Sequence, residues 1–105
     1  MPVAEGGYPL FGPSNLPDPT THAYRQDLAD IALAGRVIAS HYAEPLARQL
    51  KQDGEFRLAA SDESETIDLL KAGSVVQILD NSRGWAWGYG PDGRVGYLRS
   101  ALIEV

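Results

Sequence analysis

The chain contains no cysteine among its 105 residues. This absence excludes a disulfide scaffold, a thiolate metal site and a cysteine nucleophile. Long apolar runs are also missing, since no window approaches the roughly 18 residues that a membrane-spanning helix needs. The first five residues, MPVAE, show neither the basic n-region nor the apolar h-region of a signal peptide. We therefore expect a cytoplasmic protein without a membrane partner, with non-classical export as the alternative.

Positive charge is scarce as well. The chain has 9 basic and 14 acidic residues and a net charge of −5. Because phosphate binding needs clustered lysines and arginines, this balance argues against a nucleic-acid partner. The excess lies in the segment 53–68, in which a single arginine accompanies the acidic residues Asp53, Glu55, Asp62, Glu63, Glu65 and Asp68. We expect this segment to create a local negative field.

The composition, with 44% hydrophobic and 22% charged residues, is typical of one small globular domain. Residues 1–17 are rich in glycine and proline, which favours an extended arm, with disorder as the alternative. Residues 18–40 read as a helical or irregular lead-in packed on the domain that follows. Its apolar spacing between Thr20 and Gly35 is imperfect, and it predicts a short helix or two turns with irregular backbone between them.

From residue 41 to residue 105 the pattern changes to short strands. The clearest candidates are 74–79, which is rich in β-branched residues, and the pair 85–89 and 94–98. A turn cluster occupies 80–84, and the sequence GPDG at 90–93 has strong turn chemistry. Four or five short strands joined by tight turns predict a mainly β protein with a small closed barrel, because closure removes exposed strand edges.

These late strands resemble the closing strands of a bacterial SH3 domain. The resemblance is carried by GWAWG at 84–88, DGRVGYL at 92–98 and AL at 101–102. Upstream, HAYR at 22–25, DLAD at 27–30 and LAGRV at 33–37 are similar to the segment that precedes the first SH3 domain of NlpC/P60 cell-wall peptidases. Together the two parts cover about residues 18–105.

The resemblance implies an SH3-like barrel of about five strands after the lead-in. NlpC/P60 peptidases hydrolyse a γ-D-glutamyl bond in peptidoglycan stem peptides, and the catalytic domain that follows their SH3 region uses a Cys and a His. Their first SH3 domain shapes the substrate pocket. Because this chain has no Cys and ends at Val105, we expect the recognition half of that architecture, without the catalytic half and without a cofactor.

Three aromatic residues, Trp85, Trp87 and Tyr89, are expected on one face of their strand because side chains alternate along a strand. Aromatic side chains offer rigid contact area at low entropic cost, so this face is a candidate ligand-binding surface. Packing of Trp87 inside the barrel or under the N-terminal segment is the alternative. Tyr97, on the returning strand, either joins the surface or packs in the core.

The acidic residues Asp62, Glu63 and Glu65 fall where an SH3 barrel has its long ligand-facing loop. Carboxylates there can bind ammonium groups of a peptide through charge-assisted hydrogen bonds. A solvated run of charge is the alternative. His22 and His41 have no carboxylate at ligand spacing, so we expect structural roles for both and no metal site.

The leading hypothesis is a non-catalytic module that binds peptidoglycan stem peptides. No GxSxG, HExxH or phosphate-loop motif occurs in the chain. One alternative is a protein-interaction module for an extended Pro-rich or basic segment, for which the chain's own residues 8–19 are a candidate. Another is the specificity subunit of a split NlpC/P60-type peptidase with a separate catalytic chain.

Overall fold

The computed structural model describes residues 16–103 of the chain. The backbone contacts divide it into two compact units, the first ending at Glu44 and the second beginning at Pro45. The arm predicted over 1–17 lies outside the described residues except for its last two. Within the described range, no helix is both long enough and apolar enough to cross a membrane.

The described part of the first unit contains a short parallel strand pair, β1 (Leu28–Asp30) and β2 (His41–Ala43). A single 3₁₀ turn, Ile31–Leu33, follows β1. The small core of this unit consists of the buried residues Ala29, Leu33 and Val37, against which Tyr24, Ala39 and Tyr42 pack. The hydroxyl of Tyr42 donates to the carbonyl oxygen of Val37 at 2.7 Å and closes the unit locally.

No α-helix forms in the described part of the lead-in, where turns and irregular backbone surround β1 instead. Two aspartates each accept a bond from a backbone N–H two residues further on, and the bond of Asp30 caps the 3₁₀ turn that follows it. Asp18 accepts from the N–H of Thr20 at 2.9 Å, and Asp30 accepts from the N–H of Ala32 at 3.0 Å. The expected short helix is not confirmed. The helical backbone described in this range is the 3₁₀ turn Ile31–Leu33, with turns and irregular backbone around it and β1.

The second unit is a six-stranded antiparallel sheet in the order β3-β6-β7-β8-β4-β5. Its strands are β3 (Leu46–Gln49), β4 (Gly54–Arg57), β5 (Thr66–Leu70), β6 (Val75–Ser82), β7 (Trp85–Tyr89) and β8 (Val95–Arg99). A 3₁₀ turn, Ser100–Leu102, follows β8. The prediction of a mainly β protein is confirmed.

Within residues 16–103 the sheet does not close into the expected barrel, since β3 and β5 are the two edges of its described strands. Of the last three residues, 103–105, only Ile103 is among the described residues. The N–H of Ile103 bonds to the carbonyl oxygen of Ser100 at 3.0 Å, so it serves the 3₁₀ turn instead of a strand ladder. Its side chain is buried in the core.

Two tight turns position the central strands. Arg83 and Gly84, with φ values of 56° and 83°, form the two-residue connection between β6 and β7. Positive φ at both positions is the geometry of a type I′ hairpin turn, which matches the strand twist. The turn cluster predicted over 80–84 is thus shorter than expected, because β6 continues to Ser82. The predicted turn at 90–93 is confirmed by a bond of 3.0 Å from the N–H of Gly93 to the carbonyl oxygen of Gly90.

The core of the second unit lies on one side of the β7–β8 hairpin. Its largest fully buried side chains are Phe56, Leu98 and Val76. Gly88 and Gly96 sit opposite each other on the two strands. A Cβ at Gly88 would lie 2.0 Å from the carbonyl oxygen of Gln77, and one at Gly96 would lie 2.8 Å from the ring of Phe56. Glycine at these positions therefore allows the close approach of the strands and of the core.

Candidate functional site

The face of the β7–β8 hairpin that points away from the core is called the aromatic face. It is formed by the directly opposed pairs Trp85–Arg99, Trp87–Tyr97 and Tyr89–Val95. The residues between them belong to the other face, where Ala86 and Leu98 are fully buried in the core. The prediction that Trp85, Trp87 and Tyr89 share one face of their strand is confirmed.

The aromatic face has a buried centre and half-exposed surroundings. Trp87 is only 3% exposed, whereas Trp85, Tyr89 and Tyr97 are half-buried. The rings of Trp87 and Tyr97 have their centroids 6.4 Å apart and are tilted by 33°. Trp87 is the middle residue of β7 and lies between Asp80 on β6 and Tyr97 on β8. In this conformation it packs against the ring of Tyr97 and offers little surface to a ligand. Its burial agrees with the alternative interpretation, in which Trp87 has a packing role.

One residue of this site was missed by the sequence analysis. The guanidinium carbon of Arg99 lies 4.2 Å from the centroid of the Trp85 ring, within the range of a cation–π contact. The same guanidinium binds Asp62 through two nitrogens, with the Nε atom 3.2 Å from one carboxylate oxygen. The spacing of two between Tyr97 and Arg99 already indicated a shared face, but no local pattern indicated the contact with Asp62.

Asp62 belongs to the acidic loop, residues 58–65, which connects β4 to β5. The loop is closed at its base by the N–H of Leu58, which donates to the carbonyl oxygen of Glu65 at 2.9 Å. The guanidinium of Arg57 donates to the carbonyl oxygen of Ser64 at 2.9 Å, and the hydroxyl of Ser64 crosses the loop to Ala59 at 3.0 Å. These bonds give the loop a defined shape on which its carboxylates are displayed.

Most carboxylates of the acidic segment have internal partners. Three of them pair with arginines: Glu55 with Arg57, Asp62 with Arg99, and Asp68 with Arg94. Asp53 accepts from the N–H of Ala72 at 2.8 Å. Within residues 16–103 the exposed side chains of Glu63 and Glu65 have no such partner. The negative field is therefore confined to fewer carboxylates than the sequence predicts. Two of the neutralising arginines, Arg94 and Arg99, lie far from this segment in sequence, in and next to β8.

The two histidines lie in the first unit. The Nδ1 atom of His22 is 3.1 Å from the carbonyl oxygen of Asp18 and 3.0 Å from the hydroxyl of Thr21. His41 is exposed at the start of β2. Among the described residues, no group of three or more histidine and carboxylate side chains is arranged to hold a metal ion.

No protein-family model, curated protein or solved structure matches this chain. The chemistry of the site must therefore be argued from its geometry. The aromatic face offers flat apolar contact area, bounded at one end by an arginine and a carboxylate. Two unpaired carboxylates, Glu63 and Glu65, extend from the same acidic loop that holds Asp62. This combination suits an extended ligand that carries both apolar groups and a positive charge.

Proposed function

We propose that the second unit is a non-catalytic recognition module of the bacterial SH3 type that binds short peptides with a free amino group. Peptidoglycan stem peptides are the ligands that the sequence resemblance to NlpC/P60 peptidases implies. The observation that carries the proposal is the aromatic face, on which Trp85, Tyr89 and Tyr97 stay half-exposed beside a loop with unpaired carboxylates. The three consecutive antiparallel strands followed by a 3₁₀ turn support the SH3 interpretation.

The aromatic residues would supply most of the binding free energy. An exposed ion pair contributes less than about 1 kcal/mol, so Glu63 and Glu65 alone would hold an ammonium group weakly. Burying part of an aromatic ring under an apolar ligand group adds about 25 cal/mol for each Å² removed from water. The carboxylates would then select ligands with a free amine, because an acetylated amine cannot form a charge-assisted bond.

The test is intrinsic tryptophan fluorescence during titration with L-Ala-γ-D-Glu-diaminopimelate at low and high salt. We expect a saturable change that salt weakens, because the bond between ammonium and carboxylate is screened. The ligand control is the same tripeptide acetylated on both of its amino groups, the N-terminal one and the one on the diaminopimelate side chain. The matched protein pair is Glu63→Gln and Glu65→Gln against Glu44→Gln, an exposed acid in the other unit. An equal response to the acetylated tripeptide, or none to the free one, would contradict the proposal.

A second candidate is a protein-interaction module for an extended Pro-rich or basic segment. It is favoured by the edge of β5, which no other strand of the described range pairs with on its outer side and which carries Leu69 with 73% of its surface exposed. Leu58, at the start of the loop, is also exposed. A basic Pro-rich peptide titrated in the same assay separates the two candidates. Saturable binding of that peptide without a response to the tripeptide would favour this second function.

A further inference from the structure

The side chain of Arg99 lies between two groups that recognise cations. Its guanidinium carbon is 4.2 Å from the centroid of the Trp85 ring, and its Nε atom is 3.2 Å from a carboxylate oxygen of Asp62. An aromatic face together with a carboxylate is a general arrangement for binding an ammonium or guanidinium group. In this structure the cation in that position belongs to the protein itself.

We propose that Trp85 and Asp62 form a binding site for a cationic group of the ligand, and that Arg99 occupies this site as an autoinhibitory placeholder. The inference rests on the proposed function in one respect, namely that ligands bind at the aromatic face. It adds the chemical class of the bound group, an ammonium or guanidinium ion. It also adds the step that binding requires, because the guanidinium of Arg99 must first leave.

The contacts of Arg99 are of the kind that a ligand can replace. The side chains of Arg99 and Asp62 are 48% and 62% exposed, so water and salt screen their attraction. Arg99 is the last residue of β8, and its long side chain can swing into solvent without disturbing the strand ladder. Exposed ion pairs and exposed cation–π contacts are both weak.

Arg57 provides the internal contrast. Its side chain is only 16% exposed, and it binds both Glu55 at 2.7 Å and the carbonyl oxygen of Ser64 at 2.9 Å. A side chain fixed in this way is part of the architecture of the loop. The two residues that Arg99 contacts here are not buried, since Trp85 is half-buried and Asp62 is exposed. The difference supports a releasable role for Arg99 and a structural role for Arg57.

Removing the guanidinium should open the site. We expect Arg99→Gln to bind a cationic ligand about five- to tenfold more tightly than the wild type, because the ligand no longer competes with an internal cation. Arg48→Gln is the matched control, since it removes the same charge from an exposed position on β3. Thermal denaturation of both variants checks that the fold is retained.

Two probes separate this inference from the proposed function. The first is ethylguanidinium chloride, which mimics the end of the arginine side chain, with sodium chloride at equal ionic strength as control. Its binding is monitored through the indole N–H signal of Trp85 in the proton–nitrogen correlation spectrum. The buried Trp87 is the internal reference, and the variant Trp85→Phe assigns the two signals. The second probe is L-Ala-γ-D-Glu-diaminopimelate. The variant Asp62→Asn, introduced into Arg99→Gln, should abolish the response to ethylguanidinium.

The outcomes differ for the two proposals. A stronger ethylguanidinium response in Arg99→Gln than in the wild type and Arg48→Gln supports the placeholder, even if the tripeptide binds to none of them and the proposed function fails. Tripeptide binding to the wild type with an equal or weaker response of Arg99→Gln to both probes overturns the placeholder and leaves the proposed function intact. A weaker tripeptide affinity in that variant would mean that Arg99 binds a carboxylate of the ligand.

Discussion

The two faces of the β7–β8 hairpin differ in the size of their side chains. The core face carries the small residues Ala86, Gly88 and Gly96 together with Leu98, whereas the aromatic face carries two tryptophans, two tyrosines and an arginine. Close contact with Phe56 and with the backbone of β6 limits what the core face can hold. On the aromatic face Trp87 is buried, whereas Trp85, Tyr89 and Tyr97 stay half-exposed. Packing accounts for the core face, and the proposed ligand binding would account for the exposed aromatic rings.

The largest expected loss of stability concerns the core that packs against the core face of the hairpin. Phe56 is 0% exposed and its ring packs against Gly90 and Gly96. Truncation of a buried phenylalanine leaves a cavity and removes its burial energy, so Phe56→Ala should lower the free energy of unfolding by about 3–5 kcal/mol. Urea denaturation followed by circular dichroism measures this loss.

Leu58→Ala is the matched control for Phe56→Ala. Leu58 lies two residues further along the chain and is exposed, so its truncation should change the free energy of unfolding by no more than about 0.5 kcal/mol. Phe56→Leu should keep the fold with an intermediate loss. Similar losses for Phe56→Ala and Leu58→Ala would show that the core does not lie on this side of the hairpin.

The next effect concerns the close approach of β6 and β7. A methyl group at Gly88 would lie 2.0 Å from the carbonyl oxygen of Gln77, so the two strands would have to separate. Overpacking of this kind lowers the free energy of unfolding by about 1–3 kcal/mol, which we expect for Gly88→Ala in the same urea experiment. Ala47→Ser, at an exposed position on β3, is the control, because surface substitutions usually change the free energy of unfolding by no more than about 0.5 kcal/mol. A Gly88→Ala variant as stable as Ala47→Ser would contradict the strand spacing.

On the aromatic face we expect a substitution to affect ligand binding more than stability. Trp85 is half-buried and its ring is covered on one side by the exposed guanidinium of Arg99. We expect Trp85→Ala to lower the free energy of unfolding by less than about 1 kcal/mol, since exposed cation–π contacts are weak. The same variant should abolish the binding of the tripeptide, measured by calorimetry. A loss of stability equal to that of Phe56→Ala, with binding retained, would assign Trp85 to the core instead.

The hairpin itself was predictable because its signals are local. The alternation of WAWGY and the turn sequence GPDG act within a few residues, and the structure has the strand and the turn where these patterns placed them. The predicted short helix is not confirmed. A 3₁₀ turn, Ile31–Leu33, lies in its range, and Asp30 caps that turn by accepting from the N–H of Ala32. The imperfect apolar spacing of this segment allows either a short helix or turns.

The parts of the site that could not be predicted depend on distant contacts. Asp62 and Arg99 are 37 positions apart, and they meet because the acidic loop lies against the end of β8. The pairing of Asp68 with Arg94 arises in the same way. The burial of Trp87, which is 3% exposed, could not be predicted either, because the alternation pattern fixes only the face to which a side chain belongs. Because Asp62 and Asp68 are paired with arginines, Glu63 and Glu65 are the carboxylates that the proposed ligand would meet unpaired.

The smallest expected effect lies in the turn that joins β7 to β8. The Asp92 carboxylate accepts bonds from the backbone N–H of Arg94 at 3.2 Å and from its guanidinium at 2.5 Å. These bonds, the backbone bond foremost, hold the pKa of Asp92 below its ordinary value of 3.8. The stability they contribute is therefore complete above that value and is lost as the pH falls through the lowered pKa.

The variant Asp92→Asn tests this turn by removing the charge while keeping the shape of the side chain. We expect a slightly lower urea midpoint than that of the wild type at neutral pH, and a difference that disappears in acid below the lowered pKa of Asp92. A difference that is the same at both pH values would mean that the turn depends on the shape of the side chain and not on its ionisation. Because the turn is exposed, salt should also reduce the difference at neutral pH. The ionised carboxylate of Asp92 would then stabilise the turn that sets the pairing of β7 with β8.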